Sequence, residues 1–143
     1  MRHRSARDVI AARKPITVHG GTTVLAAARL MKKHHVGALM VVEGEHLIGI
    51  FTERDIVFRV LAEGRAVSTT RVSEVMTASP RTIDADQAVG HALMLMYDGG
   101  FRHVPVVDNG RPLGMISARD ALGPELQEFE LDLVQRDHIG EIL

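Results

Sequence analysis

Apolar positions recur along this chain at helical spacing, then densely, and then the pattern starts again. Val24, Ala27, Ala28 and Met31 fall at i, i+3, i+4 and i+7, and Val89, Ala92, Leu93 and Met96 repeat that spacing. Residues so placed share one face of an α-helix, so each stretch predicts an amphipathic helix with a single buried stripe. A β-rich run follows each helix, Ala38 to Val42 and His103 to Val107. Each closes in a turn, Glu43-Gly44-Glu45 or Asp108-Asn109-Gly110, beyond which lies a second apolar run, Leu47 to Phe51 or Leu113 to Ile116. Glycine, asparagine and aspartate adopt turn conformations that other residues resist, so these pairs predict short hairpins. Each second strand then runs into a helix, over residues 53–61 in one case and from residue 118 to about 122 in the other.

The two series are copies of one another. Residues 17–55 and 82–120 align without a gap at a constant offset of 65, and 10 of the 39 pairs are identical. The identities are Thr17/Thr82, Val24/Val89, Ala27/Ala92, Leu30/Leu95, Met31/Met96, Val41/Val106, Val42/Val107, Gly49/Gly114, Arg54/Arg119 and Asp55/Asp120. A duplication at this period defines the structural unit and isolates what recurs apart from the core. Ala6-Arg7-Asp8-Val9-Ile10 and Val72-Ser73-Glu74-Val75-Met76 predict a short lead-in helical turn before each copy, and Pro15 and Pro80 mark where each copy starts. The expected layout is a first unit at residues 5–63, a polar linker at 64–71, a second unit at 72–123 and a C-terminal helical tail at 124–143. In the tail, Leu126, Phe129, Leu133 and Val134 outline an amphipathic helix, expected to pack on the domain or on a partner.

Composition narrows the function. A chain of 143 residues can bury a real core, whereas either half alone would be marginal, so the halves are expected to pack on each other. A net charge of −1 leaves no electrostatic footprint for nucleic acid, and no tryptophan, one tyrosine and four phenylalanines leave few platforms for stacking bases. The absence of cysteine excludes disulfides, thiol catalysis and thiolate metal sites and fits a reducing cytoplasm. No apolar run nears the roughly 20 residues of a membrane span, and the first residues lead into no signal-peptide core. The expected location is the cytosol.

Packing does not account for one recurring polar group, Thr52-Glu53-Arg54-Asp55 and Ser117-Ala118-Arg119-Asp120. In each, a hydroxyl closes an apolar strand and is followed by Arg and Asp in the first turn of a helix. Free N–H groups at a helix start, a hydroxyl donor and an arginine fork suit a phosphate, while a carboxylate can accept from both hydroxyls of a ribose. The same spacing also serves as a capping box, in which hydroxyl and carboxylate satisfy the helix itself. Ser5-Ala6-Arg7-Asp8 repeats the tetrapeptide of the second copy without following a strand, and reads as a plain cap. The fuller pattern, Gly-x-x-Thr/Ser-x-Arg-Asp from Gly49 and Gly114, favours a ligand.

The double pattern of amphipathic helix, strand ending in Val-Val, glycine-bearing turn and Gly-x-x-Thr/Ser-x-Arg-Asp resembles the CBS domain family, named for cystathionine beta-synthase, as a tandem pair. The resemblance covers residues 5 to 122. It implies an α/β (α+β) fold of two tandem β-α-β-β-α units packed sheet to sheet with pseudo-two-fold symmetry, here with a C-terminal helix added. It also implies clefts between the units that take an adenosine-containing ligand: AMP, ADP, ATP, NAD or S-adenosylmethionine. By the same resemblance Asp55 and Asp120 would hold ribose hydroxyls, Thr52 and Ser117 phosphate, and Arg54 and Arg119 phosphate charge. Thr17 and Val18, Thr82 and Ile83, and the strand starts Gly37-Ala38-Leu39 and Arg102-His103-Val104-Pro105 would wall adenine or reach phosphate. The copies differ here, since Gly37 and Ala38 stand where the second copy has the basic pair Arg102 and His103.

Other chemistry finds little support. The adjacent His34 and His35 do not face each other on a helix and cannot share an ion unaided. There is no phosphate-binding Walker loop, no nucleophile elbow, no metalloprotease motif and no positioned nucleophile, so neither catalysis nor a catalytic cofactor is expected. The chain reads as a regulatory nucleotide-binding protein that signals through a regulated partner protein or a homodimer, without nucleic acid or membrane. The alternative is a structural or protein-interaction module whose clefts are vestigial.

Overall fold

Both copies fold into the same run of elements, each led by a strand too short to show a period. The computed structural model describes residues 4–121 together with residues 134 and 135. A lead-in helix, α1 (Ala6–Ile10), precedes the first copy, which runs β1 (Thr17–His19), α2 (Val24–His34), β2 (Ala38–Glu43), β3 (His46–Thr52) and α3 (Glu53–Asp55). The second is preceded by α4 (Val72–Val75) and β4 (Thr77–Ala78), and runs β5 (Ile83–Asp84), α5 (Val89–Gly99), β6 (His103–Asp108), β7 (Arg111–Ser117) and α6 (Ala118–Ala121). Of the tail helix expected over residues 124–143, only residues 134 and 135 are described, and both are helical; the rest lies outside the described residues.

The sheets carry the expected hairpins and a common topology. One is ordered β1-β2-β3-β4 and the other β5-β6-β7, with β1 parallel to β2, β5 parallel to β6, and each hairpin antiparallel. Helices α2 and α5 are the crossovers that such parallel neighbours require. Both hairpins carry a register shift at equivalent places, Val41/Val42 and Val106/Val107, so the duplication reproduces even this irregularity. Strands β3 and β7 meet between the units, where the Leu47 N–H donates to the Gly110 carbonyl at 2.9 Å. Both crossover helices end in the left-handed region, at His35 (φ 53°) and at its repeat equivalent Gly100 (φ 69°).

One expectation needs correction. The helix predicted over residues 53–61 is α-helical only through Asp55 and continues as a π-helical turn, Ile56–Leu61. That turn buries Val60 while Val57, Phe58 and Leu61 face outward. Arg59 ties it down, donating to the carbonyls of Val75 at 3.2 Å and Met76 at 3.0 Å, which are open at the end of α4.

The lead-in helices are exchanged between the copies. Ala6 and Ile10 of α1 are buried with Ile83, Val89, Val104, Val106 and Ile116 in the core of the second copy. Val72 and Val75 of α4 join Val18, Val24, Leu39, Val41, Phe51 and Val60 in the core of the first. Backbone bonds fasten both exchanges. The Ala6 and Arg7 N–H groups donate to Gln87 and Ala85, and the Val89 N–H to Arg4, all at 2.8 Å. The linker does the same for α2, whose first N–H groups, at Val24 and Leu25, reach Thr70 and Val67 at 2.9 Å. The recurring strand glycine follows from this packing: a Cβ at Gly114 would lie 2.9 Å from the Ile10 Cβ, and one at Gly49 would run into Met76.

Candidate functional site

Two clefts open where the copies meet, and the repeat relates them. The larger, about 610 Å³, is lined by residues 13–16 and 35–38 of the first copy and by Gly114, Met115, Ser117, Arg119 and Asp120 of the second. The smaller, about 360 Å³, is lined by residues 79–81, Phe101, Arg102 and His103 of the second copy, with Ile50 of the first. At the offset of 65, Pro15, Gly37, Ala38 and Met115 correspond to Pro80, Arg102, His103 and Ile50. Each cleft therefore combines the strand starts of one copy with the second strand of the other.

In the larger cleft the end of β7 and the first turn of α6 deliver Asp120 as a capping carboxylate. Its Oδ2 accepts from the Ser117 N–H at 3.0 Å and from the Ser117 hydroxyl at 2.8 Å, while its own N–H donates to that hydroxyl at 3.2 Å. Arg13, on the segment between α1 and β1, completes the shell with a bidentate fork, 2.7 Å to Oδ2 and 2.9 Å to Oδ1. Burial pushes the Asp120 carboxyl up, but the Arg13 and Ser117 hydrogen bonds outweigh it and hold the group below its ordinary value. The same bond raises Arg13. Arg13, Lys14 and Arg119 give the cleft three permanent cations against two carboxylates, Asp120 and Glu53. Glu53, the first residue of α3, is fixed beside the start of β2 by its N–H, which donates to the Gly37 carbonyl at 2.9 Å.

The smaller cleft is built differently. Arg81 and Arg102 line it without any carboxylate. Thr52 and Asp55 close the same reciprocal cap, at 2.9 and 3.2 Å, yet neither lines the cleft. Asp55 is buried and faces Arg59 at 3.6 Å on its own helix. Arg54, expected to turn toward phosphate, instead lies over the Phe58 ring at 5.1 Å, where an exposed aromatic face attracts a cation. His103 lines both clefts. Burial lowers its pKa, with Arg102 adding to that and Glu53 and Asp120 opposing it, so a neutral imidazole stands where the sequence offered a second cation.

The structure thus gathers Gly37, Ala38, His103, Ser117, Arg119 and Asp120 in one place and sets Arg102 in the other. Val18, Leu39, Ile83 and Val104 are buried in the cores of their own units, Pro105, beside Val104 on β6, is fully buried as well, and none of the five lines either cleft. Thr17, the first residue of β1, and Thr82, immediately before β5, sit outside both clefts. Arg13, Lys14, Glu53 and Met115 line the larger cleft without having been singled out in the sequence. Arg13 and Asp120 are 107 positions apart, and no local pattern joins them. Among the described residues no group of three His, Asp or Glu side chains is arranged for a metal ion, and no helix is long and apolar enough to cross a membrane.

Similarity to known proteins agrees with this architecture. The CBS domain family matches residues 6–62 and 72–123, so the chain belongs to that family, as a tandem pair. It is 37% identical over 118 residues to the CBS domain-containing protein CBSCBSPB2 of Arabidopsis thaliana, covering 82% of this chain and 22% of that relative. The chain therefore spans about a fifth of that protein's length. A protein with CBS domains from Burkholderia ambifaria MC40-6 superposes with a TM-score of 0.80 at 32% identity, covering 87% of this chain and 95% of that one. The CBS domain pair of protein MJ0100, solved in complex with 5-methylthioadenosine and S-adenosylmethionine, superposes at 0.75 with 29% identity, covering 83% and 93% of the two chains.

Proposed function

We propose that this CBS pair is a regulatory module that binds one adenosine-containing ligand, of the AMP, ADP, ATP, NAD or S-adenosylmethionine class, in the larger cleft. The observation that carries this reading is the placement of Asp120 and Ser117 in the lining of a cavity of about 610 Å³ that residues 13–16 and 35–38 of the opposite copy also line, a volume within the range of small-molecule sites. The ligand complex of MJ0100 supports the same class. A ligand there touches both copies, so unequal affinity for two relative arrangements would convert its concentration into a change of shape. The output then passes to a partner protein or through a homodimer, in the cytosol, and the module acts by binding rather than by catalysis.

The second reading, a structural module with vestigial clefts, draws on the fact that both hydroxyl–aspartate pairs already satisfy their own helices as capping boxes. Thermal denaturation with AMP, ADP, ATP, NAD and S-adenosylmethionine separates the two. A ligand at 100 times its Kd stabilises the fold by about 2.7 kcal/mol, and Asp120→Ala should remove that gain. No shift with any of the five would leave the structural module standing.

A further inference from the structure

We infer that Arg13 is the specificity-determining residue of the larger cleft, making it select phosphorylated adenosine ligands over uncharged ones. This rests on the adenosine reading of the site. An ionised carboxylate offers about four lone-pair positions, and Asp120 already receives four donors: two from Arg13 and two from Ser117. Oδ2 takes three of these donors and Oδ1 one, so a ribose that brings both of its hydroxyls to this carboxylate must displace a donor. The Ser117 bonds belong to the cap of α6, whereas Arg13 is a half-exposed side chain on an irregular segment and is free to swing.

Displacement strands a guanidinium inside the cleft unless the ligand supplies an anion. A phosphate does so with the fork geometry that arginine matches best, and Lys14 and Arg119 line the same cavity to share its charge. Adenosine and 5-methylthioadenosine bring no charge. These ligands break the ion pair and give Arg13 nothing in return. Arg13 therefore penalises the nucleoside and rewards the phosphate. Its removal has opposite consequences for the two.

Calorimetric titration of the full chain with AMP and with adenosine reads this directly, in wild type, Arg13→Gln and Arg13→Lys, with a melting curve to verify each fold. Wild type should bind AMP about tenfold or more tightly than adenosine, the worth of one charge-assisted contact. Arg13→Gln should weaken AMP about tenfold and tighten adenosine severalfold. Arg13→Lys, which keeps the charge and loses the fork, should fall between. Equal affinities in wild type, or a shift of both ligands in the same direction in the variants, would overturn the role of Arg13 while leaving the adenosine site intact. If wild type binds neither ligand, the adenosine reading fails and this inference with it.

Discussion

With four donors on its carboxylate, Asp120 both caps α6 and anchors the segment that leads into the first copy. On the proposed reading, capping and ligand binding are successive uses of one group, and its ionisation state couples them to pH. Because the folded pKa lies below the ordinary aspartate value, the unfolded chain takes up the proton first as pH falls. The stabilisation is complete above the unfolded pKa, near 4, and is lost as pH falls from there through the lower folded value. Asp120→Asn should then cost about 1 kcal/mol at pH 7, a figure typical of a lost cap beside a half-exposed ion pair. Urea unfolding at pH 7 and pH 3 should show the gap between the two proteins closing. A constant gap would mean that the charge of Asp120 contributes nothing. The tetrapeptide was visible in the sequence in both copies; what surrounds it was not. Arg59 sits one turn beyond Asp55 and pairs with it outside the clefts, whereas Arg13 reaches Asp120 from another part of the chain and pairs with it inside the larger one.

The elements that the sequence revealed are those long enough to show a period: α2, α5 and the two hairpins all lie where the apolar spacing puts them. Strands of two or three residues, β1, β4 and β5, carry no period, and the π-helical turn has the composition of an ordinary helix. The recurring glycine of β3 and β7 was legible as a repeat but not as a contact, because its partner comes from the lead-in of the other copy. That contact also differs between the copies. At Gly114 a new Cβ meets the Ile10 Cβ, which can move only with its helix; at Gly49 it meets the Met76 thioether, which can rotate away. Gly114→Ala should therefore destabilise by about 1–3 kcal/mol, as overpacked cores do, and Gly49→Ala by distinctly less. Chemical denaturation of the two variants decides it. Equal costs would show that backbone conformation, not the lead-in contact, keeps these positions glycine.

At the scale of the molecule, the exchange of lead-in helices makes the two sequence copies different from the two cooperative units. One core joins α1 to β5, α5, β6 and β7; the other joins β1, α2, β2 and β3 to α4. Each unit thus owns a segment that lies before or after it in the chain, and neither can open without uncovering a core that the other copy's flank helps to close. Local opening follows such cores rather than sequence order, so native-state hydrogen exchange should sort the amides accordingly. Amides of residues 6–10 should share the opening free energy of β6 and β7, and those of residues 72–76 should share that of β2 and β3. Ile10→Ala, expected to cost about 2–4 kcal/mol by leaving a cavity among Ile83, Val106 and Ile116, should accelerate exchange in β6 and β7 well before β2 and β3. Acceleration in β2 and β3 first would place α1 with its sequence neighbours instead. The same coupling gives the larger cleft its reach. Arg13 lies three residues beyond Ile10, so a ligand that draws it off Asp120 pulls on a segment whose helix is buried in the opposite copy. A change at one carboxylate is thereby set against the packing of a whole unit.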